Sequence, residues 1–151
     1  MELKPDYVEA HINLGNVLRE QGKLEEAVAC YRRALESKPD YVEARNNLGN
    51  ALKDQGKLEE AIACYCRVLE LKRDFAEAHY NLGSALEETG DFQAAEDSFR
   101  TALRHNSRFA LAHYKLAKLL GGKLPETDLA AQRRLLEQRD LTDVDATSRT
   151  I

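Results

Sequence analysis

The chain has 151 residues, of which 43% are hydrophobic and 32% charged, and its formal net charge is −4. This composition is typical of a folded protein rich in helix formers. The acidic balance argues against nucleic-acid binding, which needs a basic surface to neutralise phosphates. The sequence has neither an apolar run long enough to span a bilayer nor a signal-peptide pattern, so we expect no membrane partner.

The three cysteines predict neither a disulfide framework nor a metal site. Cys30 and Cys64 occupy the same position in two successive repeats. Cys66 lies two residues after Cys64 on the same predicted helix. An odd count without a C-x-x-C pair is unlike a zinc site. We therefore expect free thiols in a reducing, cytoplasmic compartment, and we expect no cofactor.

A repeat of fixed length organises most of the chain. The dipeptide Leu-Gly returns every 34 residues, at Leu14-Gly15, Leu48-Gly49 and Leu82-Gly83. A period of this length predicts stacked two-helix units. In chain order, we predict first helices at residues 8–21, 42–55, 76–89 and 110–120, and second helices at residues 24–37, 58–71 and 92–105.

Local signals mark the ends of these helices. Three segments have the spacing of capping boxes: Asp6-x-x-Glu9, Asp40-x-x-Glu43 and Asp74-x-x-Glu77. Each Asp is therefore expected to cap a first helix. Glycines are expected to end the first helices in the left-handed conformation; they are Gly22, Gly56 and Gly90.

The apolar residues of the first helices recur on one face. They are Ala10, Leu14, Val17 and Leu18 in the first unit, Ala44, Leu48, Ala51 and Leu52 in the second, and Ala78, Leu82, Ala85 and Leu86 in the third. Spacing of this kind predicts a buried helix stripe. All three sets are therefore expected in the core.

The two ends of the chain depart from the repeat. Residues 1–7 look like the end of a preceding unit, so we expect the chain to be a piece of a longer array. In residues 110–122, Leu116-Ala117 replaces Leu-Gly and Gly121-Gly122 interrupts the pattern, which predicts a degenerate fourth unit. Residues 123–151 are expected to form a C-terminal capping helix and a tail.

The pattern Leu14-Gly15, Leu18, Ala27, Tyr31, Ala34, Pro39 resembles the tetratricopeptide repeat (TPR). The resemblance implies an all-α solenoid of antiparallel helix pairs wound into a right-handed superhelix. It places three full units at residues 8–41, 42–75 and 76–109.

In such a stack the first helices line the concave wall, and amide side chains recur there. The expected peptide-binding residues are Asn13, Asn16, Asn47, Asn50 and Asn81, continued by Tyr80, Tyr114, Lys115 and Lys118. An amide both donates and accepts, so a column of amides suits a peptide backbone. Asn13, Asn47 and Asn81 resemble the asparagine ladder in the TPR arm of O-linked N-acetylglucosamine transferase. Alternatively, Asn is merely tolerated at these sites, and Tyr80 and Tyr114 pack between units.

Other TPR proteins hold the carboxylate tail of a chaperone with a clamp of Asn and cationic residues. Asn16 and Asn47 match that clamp, whereas Ile12, Glu77 and Asn81 stand where its cations belong. Binding of a chaperone tail is therefore not expected.

These observations favour a non-catalytic scaffold that binds a protein or an extended peptide. His11, His79 and His113 share one repeat position and are expected to lie too far apart for a common metal ion. One alternative is the recognition arm of a larger glycosyltransferase or sulfotransferase whose catalytic domain is outside this chain. Self-association through exposed ends of the stack is a further possibility.

Overall fold

A computed structural model describes the backbone of residues 5–121 and the side chains of residues 7–121. The predictions for residues 1–4 and 122–151, including the capping helix, lie outside the described residues. The described part forms seven α-helices: α1 (Pro5–Glu20), α2 (Leu24–Ser37), α3 (Val42–Asp54), α4 (Leu58–Leu71), α5 (Ala76–Thr89), α6 (Phe92–His105) and α7 (Ala110–Leu119).

The helices pack in the order in which they occur along the chain. The hairpins α1–α2, α3–α4 and α5–α6 have the most extensive interfaces, and α2–α3, α4–α5 and α6–α7 join one hairpin to the next. Because the connections are short, neighbouring helices run antiparallel. In this all-α solenoid the buried apolar residues run from one unit into the next, so each unit is stabilised by its neighbours.

Most helix bounds agree with those read from the sequence. α2, α4, α5 and α6 begin and end at the predicted residues, whereas α1 begins at Pro5 instead of residue 8. Helices α1, α3 and α5 are each followed by a glycine with positive φ, as predicted: Gly22 at 78°, Gly56 at 79° and Gly90 at 90°.

The prediction of aspartate caps on the first helices was wrong for α3 and α5. Their N-cap residues are Tyr41 and Phe75, and neither helix has a side-chain cap hydrogen bond. Asp40 lies one residue too early to cap, and its carboxylate instead lies 3.5 Å from the guanidinium of Arg67.

Each hairpin is held together by an aromatic ring lying on a glycine. Tyr31, Tyr65 and Phe99 are completely buried. A Cβ atom placed on Gly15, Gly49 or Gly83 would approach the ring of its own unit to 2.6, 2.7 and 2.7 Å, respectively. Such distances are below van der Waals contact, so only glycine permits this approach of the two helices.

The predicted core stripe of α1 was wrong for Ala10, Leu14 and Val17, whereas Leu18 is half-buried and packs against the core. Leu14 is 51% exposed and Val17 is 48% exposed, and Ala10 is also exposed, whereas the equivalent Leu48 is only 6% exposed. The reason is that α2 covers Leu48 from the preceding unit, while no described helix packs on that side of α1. Ile12, which is not part of the predicted stripe, is fully buried.

Candidate functional site on the concave face

The first helices of successive units form the inner wall of the stack. α1 contacts α3 and α3 contacts α5, whereas neither α2 and α4 nor α4 and α6 share an interface of comparable extent. Elements on the inside of a curved stack lie closer together than those on the outside. We therefore call the surface formed by α1, α3, α5 and α7 the concave face.

The predicted asparagines lie on this face with different exposures. Asn13 is exposed, Asn16, Asn47 and Asn50 are half-buried, and Asn81 is only 7% exposed. Access to a ligand therefore decreases from α1 to α5. Asn13 and Asn47 offer the most accessible amides at the ladder position.

Two of these amides are held by tyrosines of the second helices. Tyr31 and Tyr65 each donate a hydroxyl hydrogen bond of 2.5 Å, to Oδ1 of Asn16 and of Asn50, respectively. Asn47 Nδ2 also donates to Asn16 Oδ1, at 3.2 Å. These bonds fix the side-chain orientations before any ligand arrives, which lowers the entropy cost of binding.

Asn81 has a structural partner that the sequence analysis did not identify. Its Nδ2 donates to Oδ1 of Asn46 at 3.2 Å, and Asn46 is only 3% exposed. The repeat position of Asn46 carries Ile12 in the first unit and Tyr80 in the third. The one signal available was therefore a polar residue at a position that is apolar or aromatic in the other units.

Burial and hydrogen bonding also raise the pKa of tyrosines along the face. Burial raises the pKa of Tyr31 to about 12. The hydrogen bond from the Tyr41 hydroxyl to the Glu9 carboxylate raises the pKa of Tyr41 to about 12. The neutral phenol is therefore the form that the folded chain stabilises.

Charged residues on the face are partly paired. Arg19 Nε donates to Asp54 Oδ2 at 2.8 Å, linking the first unit to the second. Lys115 Nζ lies 3.7 Å from Glu87 Oε2. Lys118, which was predicted to contact a ligand, is exposed.

Aromatic and apolar side chains distinguish the α5–α7 end. The Tyr80 ring lies 5.9 Å from that of Phe99 and 5.0 Å from that of Phe109, so packing between units accounts for part of its role. Tyr114 is 59% exposed and Leu111 is 56% exposed. A cleft of about 330 Å³ opens beside Phe109; its lining includes Glu77, Tyr80, Asn81, Asn106 and Leu111.

The histidines have backbone partners. Nε2 of His79 lies 2.9 Å from the carbonyl oxygen of Arg73, and Nε2 of His113 lies 2.8 Å from that of Ser107. Across residues 7–121 no group of three or more His, Cys, Asp or Glu residues has the geometry of a metal site. Burial raises the pKa of the Cys64 thiol, which disfavours the reactive thiolate.

None of the seven described helices combines the length and the apolar character needed to cross a membrane.

Comparisons with known families identify the repeat. A TPR repeat model matches residues 15–56 and again residues 49–90, and a tetratricopeptide repeat model matches residues 76–109. The chain belongs to the TPR family. No curated protein sequence matches it significantly.

Solved structures similar to this TPR chain share its fold. The first TPR of Spaghetti (RPAP3), solved with an HSP90 peptide, has a TM-score of 0.75 at 20% identity over 80% of this chain and 96% of that chain. MamA has a TM-score of 0.78 at 21% identity over 93% and 82%. A mutant O-GlcNAc transferase of Thermobaculum terrenum has a TM-score of 0.74 at 25% identity, over 80% of this chain and 23% of the transferase chain.

Proposed function

We propose that this TPR chain is a non-catalytic scaffold that holds an extended segment of a partner protein across its concave face. TPR units are in general protein-interaction modules, and the first TPR of Spaghetti was solved with a bound peptide. The observation that carries the proposal is the recurrence of amides at one repeat position, the exposed Asn13 on α1 and the half-buried Asn47 on α3.

The spacing of these amides suits an extended chain. Packed helices lie roughly 8–10 Å apart, and an extended chain advances about 3.3 Å per residue. Successive amides would therefore meet a partner backbone at about every third residue. Backbone contacts of this kind give affinity with little dependence on the partner's side chains.

An acidic peptide terminus is not the proposed ligand. Glu77 and the buried Asn81 lie where a two-carboxylate clamp needs cations, and Glu9 and Glu43 add exposed carboxylates to the face. A terminal carboxylate would meet like charge there, which is unfavourable. The likeness to the peptide-bound Spaghetti domain supports the fold and not its ligand.

The test is capture of peptides from an array of random, extended twelve-residue sequences. We expect the double variant Asn13→Ala with Asn47→Ala to capture far fewer peptides than the wild type does. The control is Asn46→Ala, which removes a buried bond to Asn81 without removing an accessible amide. It should lower stability yet retain capture. Unchanged capture by the double variant would refute the role of the amides.

A second candidate function is the recognition arm of a larger transferase. It is favoured by the likeness to the O-GlcNAc transferase, whose match covers 23% of that longer chain. Sequencing the gene beyond Ile151 tests it, since a catalytic domain in the same reading frame would support the arm and a stop codon would remove it. A cytoplasmic location remains a prediction from the sequence.

A further inference from the structure

The three loops that join one unit to the next have the same backbone conformation. Lys38, Lys72 and Asn106 end the second helices with φ, ψ angles of −142°, 81°; −146°, 90°; and −143°, 91°. Each donates its N–H to the carbonyl four residues earlier and accepts, at its own carbonyl, the N–H of an aromatic residue three positions later. The three positions are therefore structurally equivalent.

In the first two loops, the lysine places its charge over that aromatic ring. Lys38 Nζ lies 4.9 Å from the ring centroid of Tyr41, and Lys72 Nζ lies 5.3 Å from that of Phe75. These are cation–π distances. In the third loop the aromatic residue is Phe109, but Asn106 replaces the lysine, and its Oδ1 accepts the backbone N–H of Arg108 at 3.2 Å.

The third loop, in which Asn106 replaces the lysine, borders the cleft of about 330 Å³ on the concave face. The rings of Tyr80 and Phe109 lie 5.0 Å apart at an angle of 53°, and they form a corner of this cleft. Glu77 adds an exposed carboxylate to the lining of this cleft. Lys115, on α7, pairs with Glu87.

We propose that this opening, the cation cleft formed by Glu77, Tyr80, Asn106, Phe109 and Leu111, binds a lysine or arginine side chain of the partner segment. The inference rests on the proposed scaffold function and adds a specificity to it. Two equivalent loops already hold a cation over an aromatic ring. The third combines an aromatic corner with the exposed carboxylate of Glu77, in a chain of net charge −4. Aromatic faces and carboxylates both attract cations.

The test compares each captured peptide that contains lysine with the same peptide acetylated at that lysine, which removes the charge. For the wild type, we expect acetylation to weaken binding about tenfold, as measured by fluorescence anisotropy. The variant Asn106→Lys supplies the chain's own cation, as in the other two loops. It should weaken binding of the lysine peptide to the level of the acetylated peptide.

A second variant tests the carboxylate. Glu77→Gln should weaken binding of the lysine peptide several-fold and leave the affinity for the acetylated peptide unchanged. The matched control is Glu43→Gln, at the same repeat position one unit earlier, where Lys72 supplies the internal cation. It should change neither affinity. Thermal unfolding of all three variants verifies that they fold.

The outcomes separate this inference from the scaffold proposal. If the wild type captures no peptide, both are overturned. If captured peptides bind equally well with and without acetylation, the cation cleft is overturned and the scaffold stands. If lysine is required but neither Asn106→Lys nor Glu77→Gln alters the affinity, the cation binds elsewhere and the cleft is again overturned.

Discussion

The hydroxyl of Tyr65 donates a 2.5 Å hydrogen bond to Oδ1 of Asn50, joining the second helix of its unit to the concave face. The third unit has Phe99 and Ser84 at these two positions. Ser84 is 4% exposed, and its Oγ has no hydrogen-bond partner among the described residues. Phe99 has no hydroxyl group to donate. The third unit therefore does not need an asparagine side chain as acceptor, and the shorter Ser84 occupies that position.

Introducing the tyrosine–asparagine hydrogen bond into the third unit should show how much it contributes to the free energy of unfolding. We expect the double variant Ser84→Asn with Phe99→Tyr to be more stable than the sum of its single variants predicts, by about 1 kcal/mol, the net value of one hydrogen bond. Urea unfolding of the four proteins gives the coupling energy. Additivity within about 0.4 kcal/mol would mean that the pair does not form in the third unit.

The contact of Gly49 with Tyr65 should tolerate no methyl group. A Cβ on Gly49 would lie 2.7 Å from Tyr65 Cε1, so we expect Gly49→Ala to lower the free energy of unfolding by about 1–3 kcal/mol.

The matched background is Tyr65→Leu, which takes away the ring that the methyl group meets. There Gly49→Ala should cost little or even stabilise, since alanine is the better helix former. An equal loss in both backgrounds, measured by urea unfolding, would show that the ring is not the cause.

Stability should fall in alkaline solution. Burial raises the pKa of Tyr31 to about 12 and also raises that of Tyr65, whereas a tyrosine in an unfolded chain titrates near 10. Between these values the unfolded chain releases protons that the folded chain keeps. The free energy of unfolding therefore falls as pH rises. The contribution is complete below about pH 10 and is lost as the pH passes the folded values.

The variant Tyr31→Phe with Tyr65→Phe tests this assignment. At neutral pH it should be less stable, by about 1 kcal/mol for each lost hydrogen bond. Above about pH 10 its stability should decline less steeply than that of the wild type. Urea unfolding at several pH values gives both slopes, and parallel slopes would assign the alkaline loss to other groups.

The apolar surface of α1 should promote self-association. Leu14 and Val17 are about half exposed, and the equivalent Leu48 is covered by a neighbouring helix. We expect the mass measured by multi-angle light scattering to rise with concentration. Leu14→Ser with Val17→Ser should suppress this rise.

Leu111→Ser is the control for that experiment, because Leu111 is similarly exposed but lies on the concave face at α7, the last described helix. A chain that stays monomeric at every concentration would exclude association through α1.

The sequence by itself determined the unit and most of its helix bounds. A strict period, with Gly49 opposite Tyr65 and Gly56 at the helix end, leaves the backbone few alternatives, because close approach and positive φ both demand glycine. It also placed the asparagines on one face, since that follows from position within a helix.

Only the tertiary structure decided which of these residues are accessible. Asn13 and Asn81 occupy the same repeat position, yet one is exposed and the other is buried against Asn46. Leu14 and Leu48 differ in the same way. Exposure depends on whether another unit lies alongside and on which side chain it brings, and a pattern within one helix contains neither. The significance of Asn106 in place of a lysine also depends on the tertiary structure, because only the fold brings Phe109 and Glu77 into the same cleft.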